Sequence, residues 1–126
     1  MNKSILMLLV ALLLAVITYG QQGPGGRRQF DAKVQAKRSS DEMKERLNLT
    51  SDQMKQVETI NLEASESMAK VFEKAAEDRE ATRLKIVPIN ESRDKNLKEI
   101  FTTDQWKEYE KMKEEQRERM RRRRGN

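Results

Sequence analysis

Two stretches of this 126-residue chain set the same polar side chains at the same spacing. Leu49–Ile60 reads LTSDQMKQVETI and Phe101–Met112 reads FTTDQWKEYEKM, with Thr, Asp, Gln, Lys and Glu shared at five of twelve aligned positions. A Thr-x-x-Gln unit offers hydrogen-bond chemistry, not bond-making. At the start of a helix, the hydroxyls of Thr50 and Thr102 can accept from the otherwise unpaired N–H of the third helical residue. Gln53 and Gln105 occupy that third position and can reach back to the cap's own N–H, which completes a capping box. Asp52 and Asp104 put negative charge in the first turn, where the helix dipole favours it. Leu49 with Met54, and Phe101 with Trp106, hold the two positions of a hydrophobic staple. Each copy therefore reads as a helix start.

Little else in the chain could do chemistry. There is no His and no Cys, so the commonest general base and the strongest nucleophile are both missing. Carboxylate pairs could be assembled from 21 acidic residues, but on amphipathic helices these form solvated faces. Transition-metal sites need His, Cys or a tight carboxylate cluster, which leaves only weak binding of hard cations. The expectation is a protein that is not an enzyme and carries no cofactor and no metal. Two residue classes suit binding instead. Methionine surfaces adapt to many partners. Met54 and Met68 fall on a helical stripe and read as core, whereas Met43 and Met120 are candidates for contact with a client polypeptide. Arg117, Arg119 and Arg121, Arg122, Arg123 and Arg124 form a basic cluster. It reads either as a solvated tail or as an attractor for acidic clients, anionic lipid head groups or envelope polysaccharide.

The elements that must position these residues are helical. Gly and Pro total seven, and three Gly and one Pro sit together at 23–26, so the rest has almost none of the turn residues a sheet protein needs. Lys3 precedes a 13-residue apolar run, Ile5–Ile17, and Thr18 and Gly20 follow as small residues. That run has the length of a signal-peptide core and is short of the roughly 20 residues of a bilayer span. Residues 1–20 are expected to be a signal peptide cleaved near Gly20, with an uncleaved anchor as the alternative. No Cys follows the run, which excludes a lipoprotein. Export to the periplasm makes nucleic acid an unexpected partner despite the net charge of +5.

Residues 21–29 read as a flexible leader, 30–120 as one helical domain and 121–126 as a basic, disordered tail. The first helix is expected over Phe30–Leu47, with Phe30, Val34, Met43 and Leu47 as its apolar points and a break at Ser39–Ser40. The second opens at Thr50 and carries Met54, Val57, Ile60, Ala64, Met68, Val71 and Ala75 at steps of three and four. The stripe fades at Glu77–Glu80 and resumes as Leu84, Ile86, Ile89, Leu97 and Ile100 in a shifted phase. The chain either turns back near Asp78 or breaks at Pro88, where a kink or restart is expected because proline lacks the N–H donor. The last helix starts at Thr102, with Trp106, Tyr109, Met112, Gln116 and Met120 on one side. The fold class is all-α, a small antiparallel helical hairpin or bundle of about four segments.

A Leu-Thr-x-x-Gln motif occurring twice in a small, exported, helical chain resembles the Spy/CpxP family of periplasmic stress proteins. The first copy matches as Leu49-Thr50-Ser51-Asp52-Gln53. The second reads Phe101-Thr102-Thr103-Asp104-Gln105, with Phe in place of the usual Leu. The resemblance implies a cradle-shaped homodimer whose concave face holds unfolded or misfolded envelope proteins without ATP. It also implies an alternative role, restraining the periplasmic domain of an envelope-stress sensor kinase. Weaker alternatives are a metal-stress or polyanion-binding protein with weak contact to an anionic membrane surface. The segment between the motifs is shorter than in the best-known members, which implies a smaller cradle.

Overall fold

The computed structural model describes residues 30–75 and 77–125. The expected signal peptide and leader, residues 1–29, lie outside the described residues. Those described form four helices and no strand: α1 (Ala32–Leu47), α2 (Ser51–Lys74), α3 (Arg79–Ile100) and α4 (Thr103–Arg124). The all-helical expectation is met.

Each helix starts on a side-chain cap. Asp31 accepts from the N–H groups of Lys33 and Val34 at 3.0 and 3.1 Å, and Asp78 accepts from those of Glu80 and Ala81 at 3.0 and 3.1 Å. α2 and α4 start on Thr50 and Thr102. The turn from α1 to α2 needs one left-handed residue. It is Asn48, at φ 51°, a residue type that tolerates this conformation and commonly closes helices.

α1 packs on α2 and on α4, and α2 packs on α3. The core gathers at the end of the molecule where the two motifs lie. Leu47, Leu49, Val57, Leu97, Phe101 and Tyr109 are buried together with Met43, and Met54, Ile60, Ile100, Trp106 and Met112 pack against them. The Phe101 and Tyr109 rings meet edge to face at 5.7 Å, and Trp106 lies 5.4 Å from Tyr109. The staple residues of both motifs thus join one core, not two separate helix starts.

Several sequence expectations change. The chain turns back between α2 and α3, giving helices of 24 and 22 residues, and Pro88 sits inside α3 without restarting it. Pro88 removes the helical donor of the Leu84 carbonyl, and both residues are exposed. Nor does Ser39–Ser40 break α1. Ser40 is buried at the α1–α2 seam, where its hydroxyl accepts from Asn61 Nδ2 at 2.9 Å. Val34 and Leu84, expected on apolar stripes, are 63% and 66% exposed. Ala36 and Ser40 on α1, and Asn61, Ala64 and Ser65 on α2, are the small and polar residues that the two helices bury instead. Phe30 lies ahead of α1 and packs against Phe72, the ring centroids 5.0 Å apart and the planes tilted by 55°.

The basic tail is also corrected. α4 continues as helix through Arg124 instead of fraying after Met120. Cations in the last turn suit the negative end of the helix dipole. Arg119 with Glu115, and Arg122 with Glu118, add pairs one turn apart at 3.8 Å.

Candidate functional site

Thr50 Oγ1 accepts from Gln53 N–H at 3.2 Å, and Gln53 Oε1 accepts from Thr50 N–H at 3.0 Å. The second copy repeats this with Thr102 and Gln105 at 3.2 and 2.9 Å. Asp52 and Asp104 lie exposed in the two first turns.

The fold then brings the two boxes face to face. Gln53 Nε2 donates to Gln105 Oε1 at 2.8 Å, and Gln105 Nε2 donates to Gln53 Oε1 at 3.1 Å. The second proton of each amide goes to a helix end of the other half. Gln53 donates to Ile100 O, the last residue of α3, and Gln105 donates to Leu47 O, the last residue of α1, both at 3.2 Å. Every donor and acceptor site of both amides is filled. Four helix termini are tied at one point: the N–H ends of α2 and α4 and the carbonyl ends of α1 and α3. We refer to this arrangement as the clasp.

Beyond it, α3 and α4 diverge around a polar cluster. Asp94 accepts from Tyr109 Oη at 2.6 Å and from Lys113 Nζ at 2.7 Å, with Arg93 Nη2 3.4 Å away. Burial pushes the Asp94 carboxyl up, but the hydrogen bonds of Lys113 and Tyr109 and the charge of Arg93 together outweigh it, and the group titrates below its ordinary value. Burial holds the Tyr109 phenol far above its ordinary range. On the opposite side of α4, Arg46 of α1 bridges Glu108 at 2.6 Å and Glu115 at 3.1 Å. The hydrogen bond from Arg46 is the first reason that Glu115 titrates below the ordinary carboxylate range.

Between α1 and α4 lies an open cleft of about 350 Å³. It is lined by Arg38, Arg93, Lys113, Arg119 and Arg123 against a single acid, Glu42, together with Met43, Met112, Met120 and Tyr109. Arg38 and Arg123 form no ion pair among the described residues. The sequence candidates divide here. Met120 is 52% exposed and lines the cleft beside Arg119 and Arg123. Met43 reaches the cleft floor but is only 5% exposed, with its Sδ 3.6 Å from Asn61 Nδ2, so it is a core residue and not a free contact. Arg117 and Arg121 fold onto Glu114 at 3.2 and 3.3 Å. Together with Arg122 on Glu118 and the exposed Arg124, they stand apart from the cleft.

Sequence reasoning missed Arg38, Arg93, Asp94 and Lys113. Their spacing carries no signal until the Phe101–Thr102 turn is known to lay α4 back beside α3 and α1. Among the described residues, no three carboxylates lie close enough to hold a metal ion, and no helix is long and apolar enough to cross a membrane.

No curated protein and no solved structure matches the chain. One family does, over residues 20–109, a stretch that takes in both motifs, the clasp and the core. The chain belongs to that family, described as a domain of unknown function (DUF4890).

Proposed function

We propose that this protein is an ATP-independent chaperone of the bacterial envelope. It is exported to the periplasm by residues 1–20, works as a homodimer, and holds unfolded or partly folded proteins without catalysis or cofactor. The observation that carries this reading is the α1–α4 cleft. The exposed Met120 and the unpaired Arg38 and Arg123 share one open groove, which suits polypeptides of varied sequence better than one shaped ligand. The doubled Leu-Thr-x-x-Gln pattern and its resemblance to Spy/CpxP proteins agree with it. The clasp suits the same role, since it fixes four helix ends while the far end of the α1–α4 pair stays open.

The test is light scattering of a chemically denatured client diluted into buffer with and without a few-fold excess of the protein. Suppression without ATP is expected. The double substitution Met120→Asp with Arg123→Glu should weaken it by about tenfold, because an apolar contact and a steering charge are both reversed. Absence of suppression across several unrelated clients overturns the reading. A single stoichiometric partner captured from envelope extracts would then indicate a regulator of a stress sensor.

A further inference from the structure

Leu84 and Val87 are the large apolar side chains that α3 leaves in solvent, 66% and 42% exposed. They do not lie on the face that α3 turns to the rest of the molecule. Ile86, Ile89, Arg93, Leu97 and Ile100 make that face, and all are half-buried or buried. At 100° per residue, Glu80, Leu84, Val87, Glu91 and Lys95 fall within roughly 80° of one another on the opposite side. All five are exposed. The steps of four, three, four and four are those of a helix seam waiting for a partner helix.

The order of charge along this seam identifies the partner. Read from the hairpin tip, it runs acidic, apolar, apolar, acidic, basic. Lay the helix antiparallel on a copy of itself, crossing between Val87 and Pro88, and residues equally far on either side come opposite one another. Glu80 then faces Lys95 of the second copy, and the two-fold repeats the pair. Leu84 faces the methylene stem of Glu91, whose carboxylate comes beside Arg83, now held only by a 4.0 Å contact to Glu80. Val87, 42% exposed in the single chain, comes beside Val87 of the second copy at the centre of the crossing. A parallel copy would instead put like charges side by side.

We propose that the exposed seam of α3 is a self-association surface, pairing antiparallel with a second copy of this chain about Val87–Pro88. It rests on the homodimer in the proposed function and names the surface and register that build it. The apolar centre is small, so the dimer is weak, with a dissociation constant on the order of 10 µM. Salt weakens it further.

Sedimentation velocity on the purified protein over a concentration series tests this. Glu80→Lys and Lys95→Glu should each weaken the dimer by about tenfold, because two attractive pairs become repulsive. Combining Glu80→Lys with Lys95→Glu restores attraction and should return the constant to within about threefold of the starting value. Leu84→Lys should leave a monomer with unchanged helical circular dichroism. A protein that stays monomeric to about 100 µM overturns the proposal. So does a dimer that ignores both single reversals, or one that the double reversal fails to restore. The scattering assay, run on the same samples, keeps the two ideas apart: a dimer that suppresses no aggregation sinks the chaperone and spares the interface, and an active monomer does the reverse.

Discussion

Gln105→Ala is the sharpest perturbation of the clasp. Gln105 accepts from Thr102 N–H at 2.9 Å and from Gln53 Nε2 at 2.8 Å, and donates to Leu47 O and Gln53 Oε1 at 3.2 and 3.1 Å. Truncation leaves the Gln53 amide short of its reciprocal partner and the carboxyl end of α1 short of its donor. The site is half-buried, so water replaces part of what is lost, and about 1 kcal/mol for each bond between elements is the fitting scale. The expected loss is about 2–3 kcal/mol. Gln53→Ala should behave alike, because its bonds mirror those of Gln105. The pair is shared, so removing both glutamines removes it only once. The double variant should therefore lose about 1–2 kcal/mol less than the two singles added together. Urea unfolding followed by far-ultraviolet circular dichroism at neutral pH, with unchanged m values, measures all three. Thr50→Ala is the control for an isolated cap and should lose only about 1 kcal/mol. Losses below about 0.5 kcal/mol for both glutamines, or additivity in the double variant, would refute the clasp.

Two further perturbations concern buried polar groups. The Asp94 carboxyl is held below its ordinary value in the folded chain, so its contribution is fully present above the unfolded value of about 4 and is lost as pH falls through the lower folded value. Urea stability should therefore decline below about pH 4, and Asp94→Asn should flatten that limb; parallel pH curves for the two proteins would show that other carboxylates carry it. At the α1–α2 seam, Ser40→Ala leaves Asn61 Nδ2 only its weak contact with Met43 Sδ and should lose about 1–2 kcal/mol. Because Asn61 Oδ1 is already buried without a partner, combining Ser40→Ala with Asn61→Leu should recover most of that loss; a double variant less stable than the single would contradict this.

The helical class and the starts of α2 and α4 were legible because they are local. A cap, its Gln three residues on and a staple all lie within one turn of one another, so spacing alone reveals them. Lateral packing was legible only where a stripe was continuous, as from Val57 to Ala64 on α2. It failed at Val34 and Leu84, because an apolar residue at helical spacing marks a core only if another helix covers it, and that depends on the fold around it. Ser40 failed in the opposite sense: read as a breaker of α1, it is buried inside that helix and accepts from Asn61 of α2. The turn was undecided because Pro88 outweighs Asp78 as a local signal. The Asp78 carboxylate still starts α3 ten residues earlier, and Pro88, exposed along that helix, ends nothing.

The repeat itself has a reason that neither copy shows alone. A single capping box fills one acceptor site of its glutamine and leaves the other site and two amide protons free. In water these would be solvated, and the box would be worth no more than a cap. Here each glutamine spends those protons on the other copy, one on its carbonyl oxygen and one on the helix end before it. Glutamate, which serves equally well in an isolated capping box, has no proton to give and would set two carboxylates against two helix carbonyls. The choice of Gln at both positions, and their occurrence as a pair, follows from the same requirement. The motif locks the four helix ends together, and the face of α4 that leaves that lock beside α1 is the one that carries Met112, Arg119, Met120 and Arg123 to the open cleft.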